Sequence, residues 1–307
     1  MGRADDYGLS DRPSWRSVDW GAHLRRAEVA GASVAYLDLG EGDGAPVVLV
    51  HGLGGRWSNW LENIAVLARE RRVVALDLPG FGDSAMPAEE ISVSGYARVV
   101  DGLCEHLGLG PVVVVGNSMG GFVAAELAVA SPQRVERLVL VDAAGMVPTA
   151  RHRHRSVAVL ELTGFLGARL AASYRSVAAR PRLRRLALGM VAHRPERLSP
   201  DLVLEGLLTS FTPAYRQALH ATLGYLSWEW AERLGAVRAP TLVLWGDRDA
   251  IIPVGHADEY ARRIAGARSL VLADTGHIPM VERPRSFNRA LLEFLAEPPA
   301  PPRDVRA

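Results

Sequence analysis

Val112-Val113-Val114-Val115-Gly116-Asn117-Ser118-Met119-Gly120-Gly121-Phe122-Val123-Ala124-Ala125-Glu126 is an apolar run that stops at a Gly-x-Ser-x-Gly turn and passes into a helix-forming segment. Four consecutive valines suit a strand buried on both faces, and the alanine-rich stretch after Gly121 suits a helix. Ser118 therefore stands at the apex of a strand, a sharp turn and a helix. Gly116 and Gly120 lack the side chains that would collide as strand and helix approach, which leaves the serine hydroxyl exposed above the sheet. A phosphate-binding turn at a helix N-terminus is the alternative, but a dinucleotide fingerprint needs Gly-x-Gly-x-x-Gly spacing, which this turn lacks. Five residues can match by chance, so the weight of the turn depends on the rest of the chain.

Working outward, Arg26–Ala30 and Ser33–Leu39 read as a hairpin, and apolar strands follow at 46–50, 72–76 and 135–141. Helices are expected from Asn59, with Glu62 completing a capping box, and over Ser92–Leu107. Strands alternating with helices imply right-handed crossovers and a parallel sheet. Between Gly145 and Gly235 the alternation breaks, and helical spacing runs through 157–170, 182–191, 201–208 and 214–230. The pattern then resumes with a strand at 241–245, a helix at 255–264, a strand at 269–272 and a helix at 285–295. The expected class is α/β, a mostly parallel central sheet with helices on both faces and an inserted helical cap over the carboxyl edge of the sheet, where ligands bind in such folds. The expected divisions are an extension at 1–24, core at 25–144, cap at 145–235, core at 236–297 and a disordered tail at 298–307.

Composition narrows the class. The 307 residues are 49% hydrophobic, enough for one large core, and the net charge of +1 argues against a nucleic-acid-binding surface. No stretch has the eighteen uncharged apolar residues of a membrane span, since 157–172 is interrupted by Glu161 and Arg169. The polar, acidic start at Met1–Tyr7 differs from a secretory signal, and one cysteine, Cys104, fits a reducing compartment, so a cytoplasmic location is expected. Cys104 lies between Leu103 and Leu107 and reads as core. All 35 basic residues are arginine, which excludes lysine Schiff-base chemistry.

A serine hydroxyl is a poor nucleophile at neutral pH and needs a base, which in turn needs an orienting acid. Asp274-Thr275-Gly276-His277-Ile278-Pro279 follows a strand and puts His277 at the same sheet edge as Ser118. Trp245-Gly246-Asp247-Arg248-Asp249-Ala250-Ile251-Ile252-Pro253 places two acids beyond another strand, and Asp142 ends a third. His152 and His154 are two apart, the wrong spacing for one helix face, so a metal site is not expected.

With Ser118, an acid and His277 in that chain order, residues 28–296 resemble the α/β-hydrolase family. The resemblance implies Asp249, which precedes Pro253 in Asp-x-x-x-Pro, as the acid, with Asp247 and Asp142 as alternatives. It also implies backbone N–H donors at Leu53 and Met119 for the oxyanion, with His51 bracing the Leu53 turn, and a structural role for Gly80, Gly82 and Ser84. Trp57 and Trp60 flank that turn and either line a pocket or pack a helix start.

The implied reaction is hydrolysis of a carboxylic ester, thioester or lactone of a small to medium hydrophobic acyl group through an acyl-enzyme on Ser118. It needs no cofactor, metal, nucleic acid or membrane span, and it is compatible with a homodimer. Gly116–Gly121 and Trp57-Ser58-Asn59 also resemble carbon-carbon hydrolases of dienol carboxylates. Those enzymes carry Trp after the histidine and a His-Gly-Gly-Gly-Pro-Gly loop, where this chain has Ile278 and His51-Gly52-Leu53-Gly54-Gly55-Arg56. A non-catalytic ligand-binding protein of this fold is the reading from another class, and the complete triad argues against it. Segment 145–235 carries 13 arginines against six acids. This excess would steer a carboxylate, an anionic lipid surface or an acyl carrier, or simply coat solvated helix faces.

Overall fold

In a computed structural model of the chain, the structure describes residues 5–147, 161, 171–209 and 212–298. Eight strands form one sheet: β1 Leu24–Val29, β2 Ala32–Leu39, β3 Val47–Val50, β4 Val73–Leu76, β5 Val112–Asn117, β6 Val135–Val141, β7 Thr241–Gly246 and β8 Arg268–Leu272. Their spatial order is β1-β2-β4-β3-β5-β6-β7-β8. The β1–β2 hairpin adds antiparallel to β4, and all other pairings are parallel. Strand order reverses at the β3/β5 boundary, so the loop after β3 and the turn after β5 meet at a topological switch point.

The valine run explains why β5 is central. Val112 and Val114 point into one core layer, and Val113 and Val115 into another, all 0% exposed. The first layer is covered by α2 Val93–His106, α3 Met119–Ala130 and α9 Gly255–Arg263, the second by α1 Leu61–Leu67 and α11 Pro284–Ala296. Cys104 is buried in the first layer, and burial pushes its thiol up to about 12. Between β6 and β7 the described residues contain no strand. They form α4 Tyr174–Ala179, α5 Pro181–Leu188, α6 Pro200–Thr209, α7 Ala214–Tyr225 and α8 Trp228–Glu232. Among the described residues no helix is long and apolar enough to cross a membrane.

Two local expectations are corrected. The helix expected from Asn59 is a 3-10 turn, Trp57–Trp60, leading into α1, and Asn59 itself accepts the Arg56 N–H at 2.7 Å. Glu62 is drawn instead to the Ser10 hydroxyl and the Trp15 indole N–H, at 2.7 and 3.0 Å. The helix expected over 214–230 divides at Leu226, because the Ser227 hydroxyl accepts the Trp230 N–H and starts α8 anew. The helix expected at 157–170, apart from Glu161, and residues His152, His154 and 299–307 lie outside the described residues.

Candidate active site

Ser118 joins β5 to α3 with φ 55° and ψ −119°, a backbone state that costs a residue with a side chain on the order of 1–3 kcal/mol. Its N–H donates to the Val141 carbonyl at 2.9 Å, and its carbonyl accepts from Phe122 and Ala144 at 3.2 and 3.0 Å. The turn is closely packed: a Cβ on Gly116 would sit 2.2 Å from the Gly120 oxygen, and one on Gly120 would sit 2.3 Å from the Val50 oxygen. Gly52, in the loop after β3, approaches so nearly that its Cβ would lie 3.1 Å from the Ser118 Cβ.

The loop after β8 brings His277 to Asp249, with Nδ1 and Oδ2 2.7 Å apart and side chains 6% and 0% exposed. Asp249 Oδ1 accepts the N–H groups of Ile251 and Ile252 at 2.7 and 3.0 Å, which fixes the carboxyl. With the Nδ1 proton directed to Asp249, Nε2 is the basic nitrogen. Asn117 Nδ2 donates to the carbonyls of Val141 and His277, both at 3.1 Å, so the residue before Ser118 ties the nucleophile strand to the histidine loop. The Ser118 hydroxyl makes no hydrogen bond to another described residue, a looseness common before substrate binds.

The alternative acids are placed differently. Asp247 accepts the Thr275 N–H at 3.2 Å and is partly exposed, bracing the two strand ends. Asp142 is fully buried at φ 44°, with Oδ1 accepting the Gly246 N–H at 3.0 Å. One ligand atom each from Asp142, Asp249 and His277 lies within 4.8 Å of the others. Burial, and then the charge of Asp249, push the Asp142 carboxyl well above the usual carboxylate range.

Met119 is the first residue of α3, where the helix dipole favours an anion. Among the described residues neither its N–H nor that of Leu53 donates to a protein acceptor. His51 holds the Leu53 loop: Nε2 accepts the Leu78 N–H at 2.9 Å, so Nδ1 carries the proton toward the Gly52 oxygen at 2.7 Å. Burial lowers its pKa to about 4, which keeps the ring neutral in this role. Ser84 donates to the Asp77 carbonyl and accepts from the Ala35 N–H, and a Cβ on Gly82 would meet the Asp77 carboxyl at 2.1 Å.

Trp57 and Trp60 lie in the core layer with α1 and α11, Trp60 against Phe287 and Trp57 against Trp20. Among the apolar residues of the inserted segment, Leu207 and Tyr215 are core, and Trp230 is buried with its indole N–H on Glu126 at 2.7 Å. Trp228 is 55% exposed. A groove of about 1010 Å³ lined by Ile91, Arg216, His220 and Tyr225 opens between the start of α2 and α7; none of the predicted catalytic residues lines it. The His277–Asp249 pair and Ser118 lie instead at the carboxyl edge of the sheet, in the loops after β8, β7 and β5.

Sequence reasoning missed a second buried carboxylate. Glu282, in α10 Pro279–Glu282, is 0% exposed and accepts from the Tyr7 hydroxyl and the N–H groups of His193, Gly276 and Ile278, at 2.5, 2.8, 2.9 and 3.2 Å. Three of these groups are backbone N–H donors, so nothing in the residue types signals the contact.

The family model described as alpha/beta hydrolase fold matches residues 45–284. The chain is 35% identical over 271 residues to a dihydrolipoyllysine-residue acetyltransferase component of the acetoin cleaving system of Pseudomonas putida, covering 88% of this chain and 69% of that protein. It is 30% identical over 287 residues to a 2-hydroxy-6-oxo-2,4-heptadienoate hydrolase of Pseudomonas putida strain F1, covering 90% and 97%. The structure of a thermophilic esterase from Thermogutta terrifontis aligns with a TM-score of 0.68 at 28% identity, over 88% of this chain and 98% of that one.

Proposed function

Because this chain belongs to the α/β-hydrolase fold family, we propose that it is a serine hydrolase that cleaves a carboxylic ester, thioester or lactone of a small to medium hydrophobic acyl group. The observation that carries this reading is the buried His277–Asp249 pair at 2.7 Å, at the sheet edge that also holds the strained Ser118. Ser118 Oγ attacks the carbonyl carbon as His277 Nε2 takes its proton, and Asp249 holds the imidazole in the required tautomer. The N–H groups of Leu53 and Met119 face the resulting oxyanion, each contributing about a hundredfold or more in rate. Collapse expels the alcohol or thiol, protonated by His277, and leaves an acyl ester on Ser118. Water, activated by His277, then attacks that ester, and the acid leaves with Ser118 restored.

Two relatives favour a second reading each. The heptadienoate hydrolase points to carbon-carbon cleavage of a dienol carboxylate, for which Ile278 and Arg56 depart from the resembling motifs. The acetyltransferase component points to a thiol as acyl acceptor in place of water. A series of p-nitrophenyl esters of increasing chain length, a coloured dienol carboxylate and dihydrolipoamide as competing acceptor separate them. Ester turnover lost in Ser118→Ala is expected; fast decolourisation with poor ester turnover overturns ester hydrolysis in favour of carbon-carbon cleavage.

A further inference from the structure

Residues 5–8, which precede every strand, pack against the inserted segment and α10, with Tyr7 buried between them. Tyr7 is 1% exposed and belongs to a core cluster with Tyr174, Ala192, Leu198 and Val203 of the inserted segment. The guanidinium groups of Arg197 and Arg283 each lie 5.4 Å from its ring centroid. Its hydroxyl donates to Glu282 and accepts the Arg194 N–H at 2.6 Å. Glu282 in turn receives the N–H groups of Gly276 and Ile278, the two neighbours of His277, and that of His193. The His277 N–H completes the knot by donating to the Val191 carbonyl at 2.9 Å. Three segments distant in sequence thus meet on one carboxylate, and the backbone on both sides of the base hangs from it.

We propose that Tyr7 is a positioning residue for His277, acting through Glu282 and locking the histidine loop to the inserted segment over the site. The inference rests on His277 being the base of the proposed hydrolase. Burial and the adjacent Glu282 charge raise the Tyr7 phenol far above its ordinary value, so it stays a donor throughout the working pH range. Without the hydroxyl, Glu282 loses its one side-chain donor among the described residues and the Arg194 N–H loses its acceptor. The histidine loop and residues 191–194 are then free to shift against each other. Asp6 pegs the same stretch by other means, accepting from Arg283, from the Ser286 N–H and from the Ser286 hydroxyl, without touching Glu282.

The test compares wild type, Tyr7→Phe and Asp6→Asn in the full chain, reading kcat and KM on a p-nitrophenyl ester, the rate of labelling by a fluorophosphonate, and Tm. Tyr7→Phe is expected to lower kcat and labelling rate by about ten- to a hundredfold with KM changed less than about twofold, as for a misplaced base. Asp6→Asn, even at an equal or larger loss of Tm, keeps kcat within about twofold of wild type. Wild-type rates in Tyr7→Phe, or an equal fall of kcat in Asp6→Asn, overturn the positioning role. Wild type that neither labels nor turns over an ester overturns the hydrolase reading itself, an outcome distinct from both.

Discussion

Asp249→Asn is expected to lower kcat by about ten-thousandfold while KM changes little, the size of effect seen when an amide forces the wrong imidazole tautomer in such a triad. Asn presents an NH2 group or a neutral oxygen to Nδ1, and its loss of charge also removes the stabilisation of the imidazolium that forms during attack. Asp142→Asn, a few ångströms away, is expected to keep kcat within about tenfold, because burial and the Asp249 charge favour the neutral form of Asp142 and an amide of the same shape still accepts the Gly246 N–H. The sign of the linked stability follows. A carboxyl whose folded pKa is raised stabilises fully below its unfolded value near about 4 and loses that contribution as pH rises toward the folded value. Wild type should therefore lose stability relative to Asp142→Asn between pH 4 and neutral, read by urea unfolding at several pH values. Equal losses of kcat in the two variants would contradict the assignment of Asp249 as the orienting acid.

Gly120→Ala is expected to destabilise the fold by at least about 3 kcal/mol, the upper range for an overpacked core. The new methyl would lie 2.3 Å from the Val50 carbonyl oxygen and 2.4 Å from that of His51, both backbone atoms of the central strand β3 and its loop. Neither can move without displacing the oxyanion loop, so activity falls with stability. Gly206→Ala in α6 is the contrast: among the described residues outside its own helix backbone and chain neighbours, no atom lies within 4 Å of its Cβ position, and removing a helical glycine stabilises by about 0.5–1 kcal/mol. Urea midpoints measure both, and a Gly120→Ala protein with a wild-type midpoint would contradict the close packing of the elbow.

What was legible in the sequence was local. Alternating apolar runs and Gly-punctuated turns marked all eight strands to within two residues at each end, because period and turn chemistry act over a few positions. The resemblance to the family selects Asp249 over Asp247, and in the structure the Asp249 carboxyl faces His277 Nδ1 and accepts the Ile251 and Ile252 N–H groups, while Asp247 accepts the Thr275 N–H. Contacts between segments tens to hundreds of residues apart were not legible. Glu62 fitted a capping box by spacing yet serves Ser10 and Trp15, and Tyr7 sat in what read as a simple extension yet bonds Glu282, 275 positions away. Asn117 carried no signal beyond filling a variable place in the turn. Its amide matters because β5 and β8 end at the same edge.

The most direct test of the central claim is the site of covalent labelling by a fluorophosphonate, read by intact mass and peptide mapping. One phosphonyl adduct on Ser118, absent in Ser118→Ala and strongly slowed in His277→Ala, is the predicted result. No adduct on the folded wild type, or an adduct that persists at another residue in Ser118→Ala, would contradict Ser118 as the nucleophile.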